Sequence, residues 1–375
     1  MTQPEKQPRT ENAITYETSG VDTQQAETAI SAITKAVRQT FDFAAPGGKP
    51  VLDLGYFANV LDLDGSLGLA ISTDSAGTKV LIAQRVGRYD TIGIDCVAMN
   101  VNDLLCVGAR PTSLVDYVAV EQLDNGIMQQ IIQGLHEAAR QSHISIPGGE
   151  IAQMADCIRG EAPGSGMDLV GTAVGLVALD QIIVGDGINE GDVLIGMSSS
   201  GLHSNGYTLA RKVFFDHLGW EVDREVSELG ETLGEALLRP TRIYVDPVLE
   251  MLKSDVSIKS LAHITGDGLL NLLRTRQKVG FQVHTLPKPP AIFSVLQRGG
   301  GISDAEMYRV FNMGIGFCVL VAPEGVDSIL ATAEEHGVDS WVLGNATLAE
   351  EHVGHVQLLP LGLSGDGSRG TFSPV

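Results

Sequence analysis

Between residues 67 and 178, short apolar segments of strand length alternate with segments whose apolar residues recur at helical spacing. That alternation restricts the chain to layered α/β or α+β folds. Residues 67–73 read as a strand, 92–107 as a helix, 113–120 as a strand and 126–142 as a helix, with further strands at 144–146 and 169–178. In the first of these helices Ile94, Val97, Val101, Leu104 and Leu105 form the apolar stripe. Residues 179–191 read as a linker, after which the pattern restarts with a strand at 193–197 and a helix from near Ser204 to Phe215. Later strands are expected at 282–284, 314–321 and 353–359. Upstream, Asp22 as N-cap with Gln25, then Ile30, Ile33, Val37 and Phe41, predict one amphipathic helix that 45–50 breaks. The expected organisation is a loose polar tail at 1–13, an N-terminal domain at 14–178, a C-terminal domain at 179–360 and a flexible Gly/Ser-rich tail at 361–375.

A length of 375 residues suits two domains with substantial cores and no covalent staples. The formal net charge of −21 argues against a general nucleic-acid binder or a ligand of anionic membranes. A chain this acidic that handles phosphates must gather its cations locally or use metal ions. Cys96, Cys106, Cys157 and Cys318 form no CxxC pair, so they read as buried free thiols and not as zinc ligands or a disulfide framework. Residues 1–11 contain no apolar stretch of signal-peptide type, and there is no apolar run of membrane-spanning length, so a cytoplasmic location is expected.

Five segments carry chemistry. In Ser72-Thr73-Asp74-Ser75-Ala76-Gly77-Thr78-Lys79 a strand ends in a carboxylate able to bind Mg²⁺, followed by a turn and an ammonium able to hold a phosphate oxygen; a hairpin turn is the alternative. In the helix at 92–107, Asp95 and Asn102 stand about two turns apart on one face, and Asp103 lies about 100° round from Asn102. A polar cluster in an apolar stretch needs partners; capping and hydration are the alternative. Pro147-Gly148-Gly149-Glu150 offers close backbone approach and one more oxygen ligand, or a plain turn. In Ser198-Ser199-Ser200-Gly201-Leu202-His203-Ser204-Asn205-Gly206 a strand enters a small-residue loop and then a helix, which suits an anion, with His203 and Asn205 as donors. A structural helix cap would look the same. Ala262-His263-Ile264-Thr265-Gly266-Asp267-Gly268 repeats that arrangement, and His263 could equally be a core histidine.

Taken in order, STDSAGTK, YDTIGID, MNVNDLL, GARP, PGGEIAQM, GLHSNGYTLARK, RPTRIYV, AHITGDGL and FNMGIGF resemble the phosphoribosylformylglycinamidine cyclo-ligase (aminoimidazole ribonucleotide synthetase) family over roughly residues 14–345. The resemblance implies a two-domain α/β (α+β) fold, its N-terminal domain pairing across a homodimer into an intersubunit β-barrel and its C-terminal domain α/β. It implies ATP and Mg²⁺ as cofactors and formylglycinamidine ribonucleotide as substrate, closed to aminoimidazole ribonucleotide with release of ADP and phosphate. By that resemblance Lys79, Asp95, His203, Asn205 and His263 are candidate catalytic residues. Asp74, Gly77, Thr78, Lys79, Asn102, Asp103, Gly148, Gly149, Glu150, Gly201, Ser204, Thr265 and Gly266 are candidate nucleotide contacts. Asp74, Asp95, Asp103 and Glu150 are candidate metal ligands.

The chain departs from the family pattern at Glu17, where Lys is frequent, at Ser75-Ala76, at Gln153, and at 266–274, which lacks the second glycine of a typical GGG. These departures leave two rival functions open: a superfamily relative phosphorylating another small molecule, and a non-catalytic dimeric paralogue.

Overall fold

The computed structural model describes residues 14, 15, 19, 33–45 and 47–375. The expected N-cap at Asp22, its partner Gln25, Ile30 and the departure at Glu17 lie outside the described residues. Helix α1 is described over 33–39.

The first sheet holds β1 (Lys49–Pro50), β2 (Asn59–Asp62), β3 (Leu67–Ser75), β4 (Arg110–Val120), β5 (Gly149–Gln153) and β6 (Met167–Ala178), in the order β1-β2-β3-β6-β4-β5. Leu169, Ala173 and Val177 of β6 are buried on one face, as period-2 alternation requires. Three helices accompany this sheet: α2 (Val80–Val86), α3 (Ile92–Leu105) and α4 (Asn125–Ser142). The Asp124 carboxylate caps α4 by accepting from Gly126 N and Ile127 N. α4 lies so close to α3 that a Cβ on Gly93 would stand 2.4 Å from Leu135 N, so glycine sets the crossing. On the opposite face of the sheet Val115 and Tyr117 remain 46% and 39% exposed.

The second sheet runs β10-β12-β7-β13-β11-β14-β15-β16. Its strands are β7 (Val193–Ser198), β10 (Ile258–His263), β11 (Gly280–Val283), β12 (Ile315–Val321), β13 (Ser340–Thr347), β14 (His355–Leu358), β15 (Leu363–Asp366) and β16 (Thr371–Pro374), with a separate small pair β8 (Glu225–Val226) and β9 (Glu231–Thr232). Every residue of β12 is buried, which explains its unbroken apolar run. Helices α5 (Tyr207–Arg211), α6 (Leu233–Leu238), α7 (Val245–Lys253), α8 (Ala291–Gly300), α9 (Asp304–Val310) and α10 (Val326–Glu335) accompany it.

Four expectations change. Residues 144–146 are not a strand: only Ser145 bridges to Ser113, and the pairing with β4 resumes at Gly149, beyond Pro147. The helix expected from Ser204 starts only at Tyr207, because His203 (φ 63°) and Gly206 (φ 78°) hold left-handed conformations, and it passes into a π-helix at Lys212–His217. The C-terminal segment is a paired hairpin, β15–β16, rather than a flexible tail. Phe372 anchors it, its ring occupying the space that a Cβ on Gly365 would need. Cys157 is exposed, whereas the other three thiols are buried.

Candidate active site

Three segments, each leaving a strand end, approach one another where the two domains meet. The Gly77–Lys79 turn follows β3, the 199–206 loop follows β7 and the 264–268 loop follows β10. A Cβ on Gly77 would lie 3.5 Å from Ser204 O, and one on Gly266 would lie 3.5 Å from Asn205 Oδ1. Thr78 Oγ1 and Thr208 Oγ1 face each other at 3.5 Å. The 199–206 loop is braced from behind: Asn312 Nδ2 and Ser199 Oγ both donate to Gly201 O. Thr265 O accepts from Gly268 N in the tight turn of the third segment. That turn leads into a 3-10 helix of six residues, Gly268–Leu273, so its dipole is shorter than the expected α-helix would supply. Gly268 has φ 55° and a Cβ there would meet Tyr308 O at 1.9 Å. Gly268→Ala is therefore expected to destabilise the protein by about 2 kcal/mol or more, read as a lowered denaturant midpoint; an unchanged midpoint would mean that the turn tolerates a side chain.

Beneath these loops lies a buried ion pair. Lys79 Nζ donates to Asp95 Oδ1 at 2.8 Å with both side chains fully buried, and also to Arg239 O at 2.6 Å. Asp95 Oδ1 further accepts from Thr241 N and from Thr241 Oγ1, each at 2.7 Å. Ser204 Oγ lies 2.9 Å from Thr241 Oγ1 and extends the chain to the loop. Burial pushes the Asp95 carboxyl up and the Lys79 ammonium down, against their mutual attraction.

A second group stands beside it. His263 Nδ1 and Asp103 Oδ1 are 2.9 Å apart; His263 is fully buried, whereas Asp103 is 16% exposed. Asp74, at the end of β3, has its carboxyl raised by burial and further by the Asp103 charge, with Ser75 N–H and His263 acting the other way. Asn102 Nδ2 donates to Arg242 O (2.9 Å) and Asn102 Oδ1 accepts from Tyr244 N (3.0 Å). His203 Nε2 accepts from Ser200 N at 3.2 Å, and burial lowers this imidazole's pKa well below its usual value. Asn205 Nδ2 is buried without a partner among the described residues.

The four carboxylates assigned to metal do not converge, and among the described residues no group of three or more His, Cys, Asp or Glu side chains could hold an ion. Asp95 is enclosed by its donors. Gly148, Gly149 and Glu150 lie exposed at the edge strand β5, and Glu150 Oε1 accepts from Ile151 N. One cross-strand row reads Asp74–Gly171–Asp116–Gly149, which puts β5 three strand spacings, about 14 Å, from Asp74. Asp74 and Asp103 are the pair that interact. Two carboxylates completed by nucleotide phosphates are a usual Mg²⁺ arrangement, so this donor set fits that ion.

Sequence reasoning missed two features. Asp116 shares the row with Asp74, and its carboxyl is raised by burial; only the register of β4 against β6 reveals it. Thr241 sits in a segment with no recognisable chemistry of its own, yet it supplies two of the donors to Asp95.

Residues 55–177 match the family described as AIR synthase related protein, N-terminal domain, and 189–357 match its C-terminal domain. The chain is 45% identical to a phosphoribosylformylglycinamidine cyclo-ligase of Methanothermobacter thermautotrophicus, over 85% of this chain and 90% of the relative. It is also 45% identical to one of Pyrococcus horikoshii, over 91% and 97%. Two solved structures share the fold at low identity. Thiamine-monophosphate kinase from Stenotrophomonas maltophilia has a TM-score of 0.57 at 20% identity, covering 85% of this chain and 93% of its own. T. maritima PurL complexed with FGAR has a TM-score of 0.57 at 17%, covering 87% and 49%. With both domains matched in order and nearly half the residues shared along almost the whole length of such relatives, the chain belongs to the phosphoribosylformylglycinamidine cyclo-ligase family.

Proposed function

We propose that the protein is an ATP-dependent ligase that closes formylglycinamidine ribonucleotide to aminoimidazole ribonucleotide, releasing ADP and phosphate, in purine biosynthesis. The observation that carries this reading is the 45% identity to a named cyclo-ligase across 91% of the chain. The chemistry asks for two things. The formyl oxygen is a poor leaving group, so it must first take the γ-phosphoryl of ATP. The amidine nitrogen then attacks the same carbon and phosphate departs. Asp74 and Asp103 are the residues that would hold Mg²⁺, which offsets phosphate charge when bound. Gly77, Thr78, Ser204, Asn205, Thr265 and Gly266 line the meeting point of the three segments and are assigned to phosphate groups. The buried Asn205 Nδ2 has no partner among the described residues, which suits a donor to a phosphate oxygen. Gly148, Gly149 and Glu150 are assigned to nucleotide by resemblance alone.

A second copy of the chain is the proposed partner. Leu69 and Ile71 of β3, Val174 and Leu176 of β6 and Val115 and Tyr117 of β4 form an apolar sheet face that is only partly buried, as an intersubunit barrel would need. Such an interface would bury more than about 2,000 Å². Light scattering at micromolar concentration is expected to give a dimer, and a monomer would remove the barrel. No helix among the described residues is long and apolar enough to cross a membrane; a cytoplasmic location is proposed with the pathway.

The test of the reaction is a coupled assay for ADP with detection of the aminoimidazole product. One ADP and one phosphate per ring are expected. ADP without that product would favour a kinase acting on another small molecule, and no turnover by a folded dimer would favour a non-catalytic paralogue.

A further inference from the structure

Backbone groups of the short segment 241–244 are held one after another by buried side chains from elsewhere. Thr241 N donates to Asp95 Oδ1 (2.7 Å) and Arg242 N to His203 Nε2 (3.5 Å). Arg242 O accepts from Asn102 Nδ2 (2.9 Å), and Tyr244 N donates to Asn102 Oδ1 (3.0 Å). Asp95 and Asn102 are fully buried on one face of α3 in the first domain, and His203, 1% exposed, belongs to the loop after β7 in the second. Tyr244 Oη donates to Ser198 O at the end of β7 and ties the segment down at its far end. So three side chains whose types suggest ligand chemistry each direct at least one hydrogen bond at one strap of backbone.

The proton on His203 is fixed by its partners. Nε2 receives N–H groups from Ser200 (3.2 Å) and Arg242 (3.5 Å), and a backbone N–H only donates. Nε2 must therefore be the bare nitrogen, and the ring hydrogen sits on Nδ1, which is buried and without a partner among the described residues. An imidazolium would set an Nε2–H against two other N–H groups in an interior that also holds His263, Lys79 and Arg242 nearby.

We infer that Asp95, Asn102 and His203 are positioning residues that act through the 241–244 strap, and that His203 is a neutral ring with its proton on Nδ1 rather than a proton-transfer group. The strap locks α3 of the first domain to the 199–206 loop of the second. It thereby fixes Gly77 and Thr78 opposite Ser204 and Asn205. The Thr241 hydroxyl, between Asp95 Oδ1 and Ser204 Oγ, makes the link directly. This inference rests on the phosphate site proposed above for what the strap positions; the tautomer does not depend on it.

Two variants separate positioning from proton transfer. A glutamine amide oxygen can reach the place of Nε2 and accept the same two N–H groups, but glutamine cannot shuttle a proton at neutral pH. His203→Gln is expected to keep kcat within about tenfold of the parent with an unchanged pH profile, the residual loss reflecting the left-handed backbone at 203 (φ 63°). His203→Ala is expected to lose about a hundredfold or more in kcat. Equal, severe loss in both variants, with both folded, would overturn the positioning role. A second measurement needs no turnover. Long-range ¹H–¹⁵N imidazole spectra of the full-length protein at pH 7, with the His203 signals identified by their absence from the His203→Gln spectrum, are expected to show the Nδ1–H tautomer. An Nε2–H tautomer or an imidazolium at that residue would overturn the inference even if the cyclisation itself were confirmed, and an Nδ1–H result would stand even if the substrate assignment failed.

Discussion

Asp74→Asn is expected to abolish turnover, by about a thousandfold or more, in a protein at least as stable as its parent. A contact that offsets charge on a transferring phosphoryl group contributes several kcal/mol to the barrier, and about 4 kcal/mol corresponds to three decades in rate. The stability half of the prediction comes from the carboxyl's surroundings. Burial raises the Asp74 pKa, and the Asp103 charge raises it further, outweighing the Ser75 N–H and His263. A carboxyl whose folded pKa lies above its unfolded value binds more protons folded than unfolded in the window between the two. Its contribution to stability is therefore most favourable in acid and declines as pH rises through the raised value. At neutral pH the ionised Asp74 works against the fold, and asparagine removes that repulsion. Denaturant midpoints followed from below the ordinary carboxylate range up to neutral pH should show the variant gaining on the parent as pH rises through the raised value, alongside an assay that reads no product. A variant that keeps normal turnover at limiting Mg²⁺ would make the carboxylate structural; one that unfolds would overturn the stability half of the prediction. Strain of this kind, in which a functional group is held at some cost to stability, is common at active sites.

How much of this was legible beforehand depended on whether a residue's partners were near in sequence. The strands β3, β4 and β6 and the helices α3 and α4 could be read because period-2 and period-3.6 apolar patterns are local, and they shifted by only a few residues at their ends. The hairpin β15–β16 was hidden because glycines and serines signal a loose chain, while its order comes from Phe372 packing on Gly365 and from pairing with β14. Asp74 and Asp103 could be picked out as carboxylates in otherwise apolar segments. Their association with His263 could not, since 160 residues separate His263 from Asp103. Asp95 stands out in the sequence as a carboxylate in an apolar stretch, and Lys79 as an ammonium after a small-residue turn. Yet the residue types alone suit a metal ligand and a phosphate contact as well as an internal ion pair, and only Thr241, from the other domain, decides between them. A motif supplies donors and acceptors; long-range topology determines what they meet.

That distinction bears most heavily on Lys79. Lys79→Met should destabilise the protein by about 3–5 kcal/mol, because it removes one partner of a fully buried pair and leaves the other charged in the interior. The remaining Asp95 would keep its two bonds from Thr241 on Oδ1, while Oδ2 is already without a partner among the described residues. Its protonation would then become easier, so the variant's deficit should narrow as pH falls from 8 towards 5: a folded-state pKa raised further means more protons bound by the native state. Asp95→Asn alone strands the ammonium and should also destabilise. The double variant Lys79→Met with Asp95→Asn has no buried charge, yet the asparagine Oδ1 still accepts from Thr241. It should recover most of the loss, so the two effects fall well short of adding. Additive losses in the double-mutant cycle would sink this account. A direct phosphate contact predicts something else for Lys79→Met: a raised KM for ATP with the unfolding midpoint unchanged. The enclosure of Nζ by Asp95 Oδ1, the Arg239 carbonyl and the Tyr207 ring, whose centroid is 5.6 Å away, leaves that ammonium committed inside the protein and favours the loss of stability.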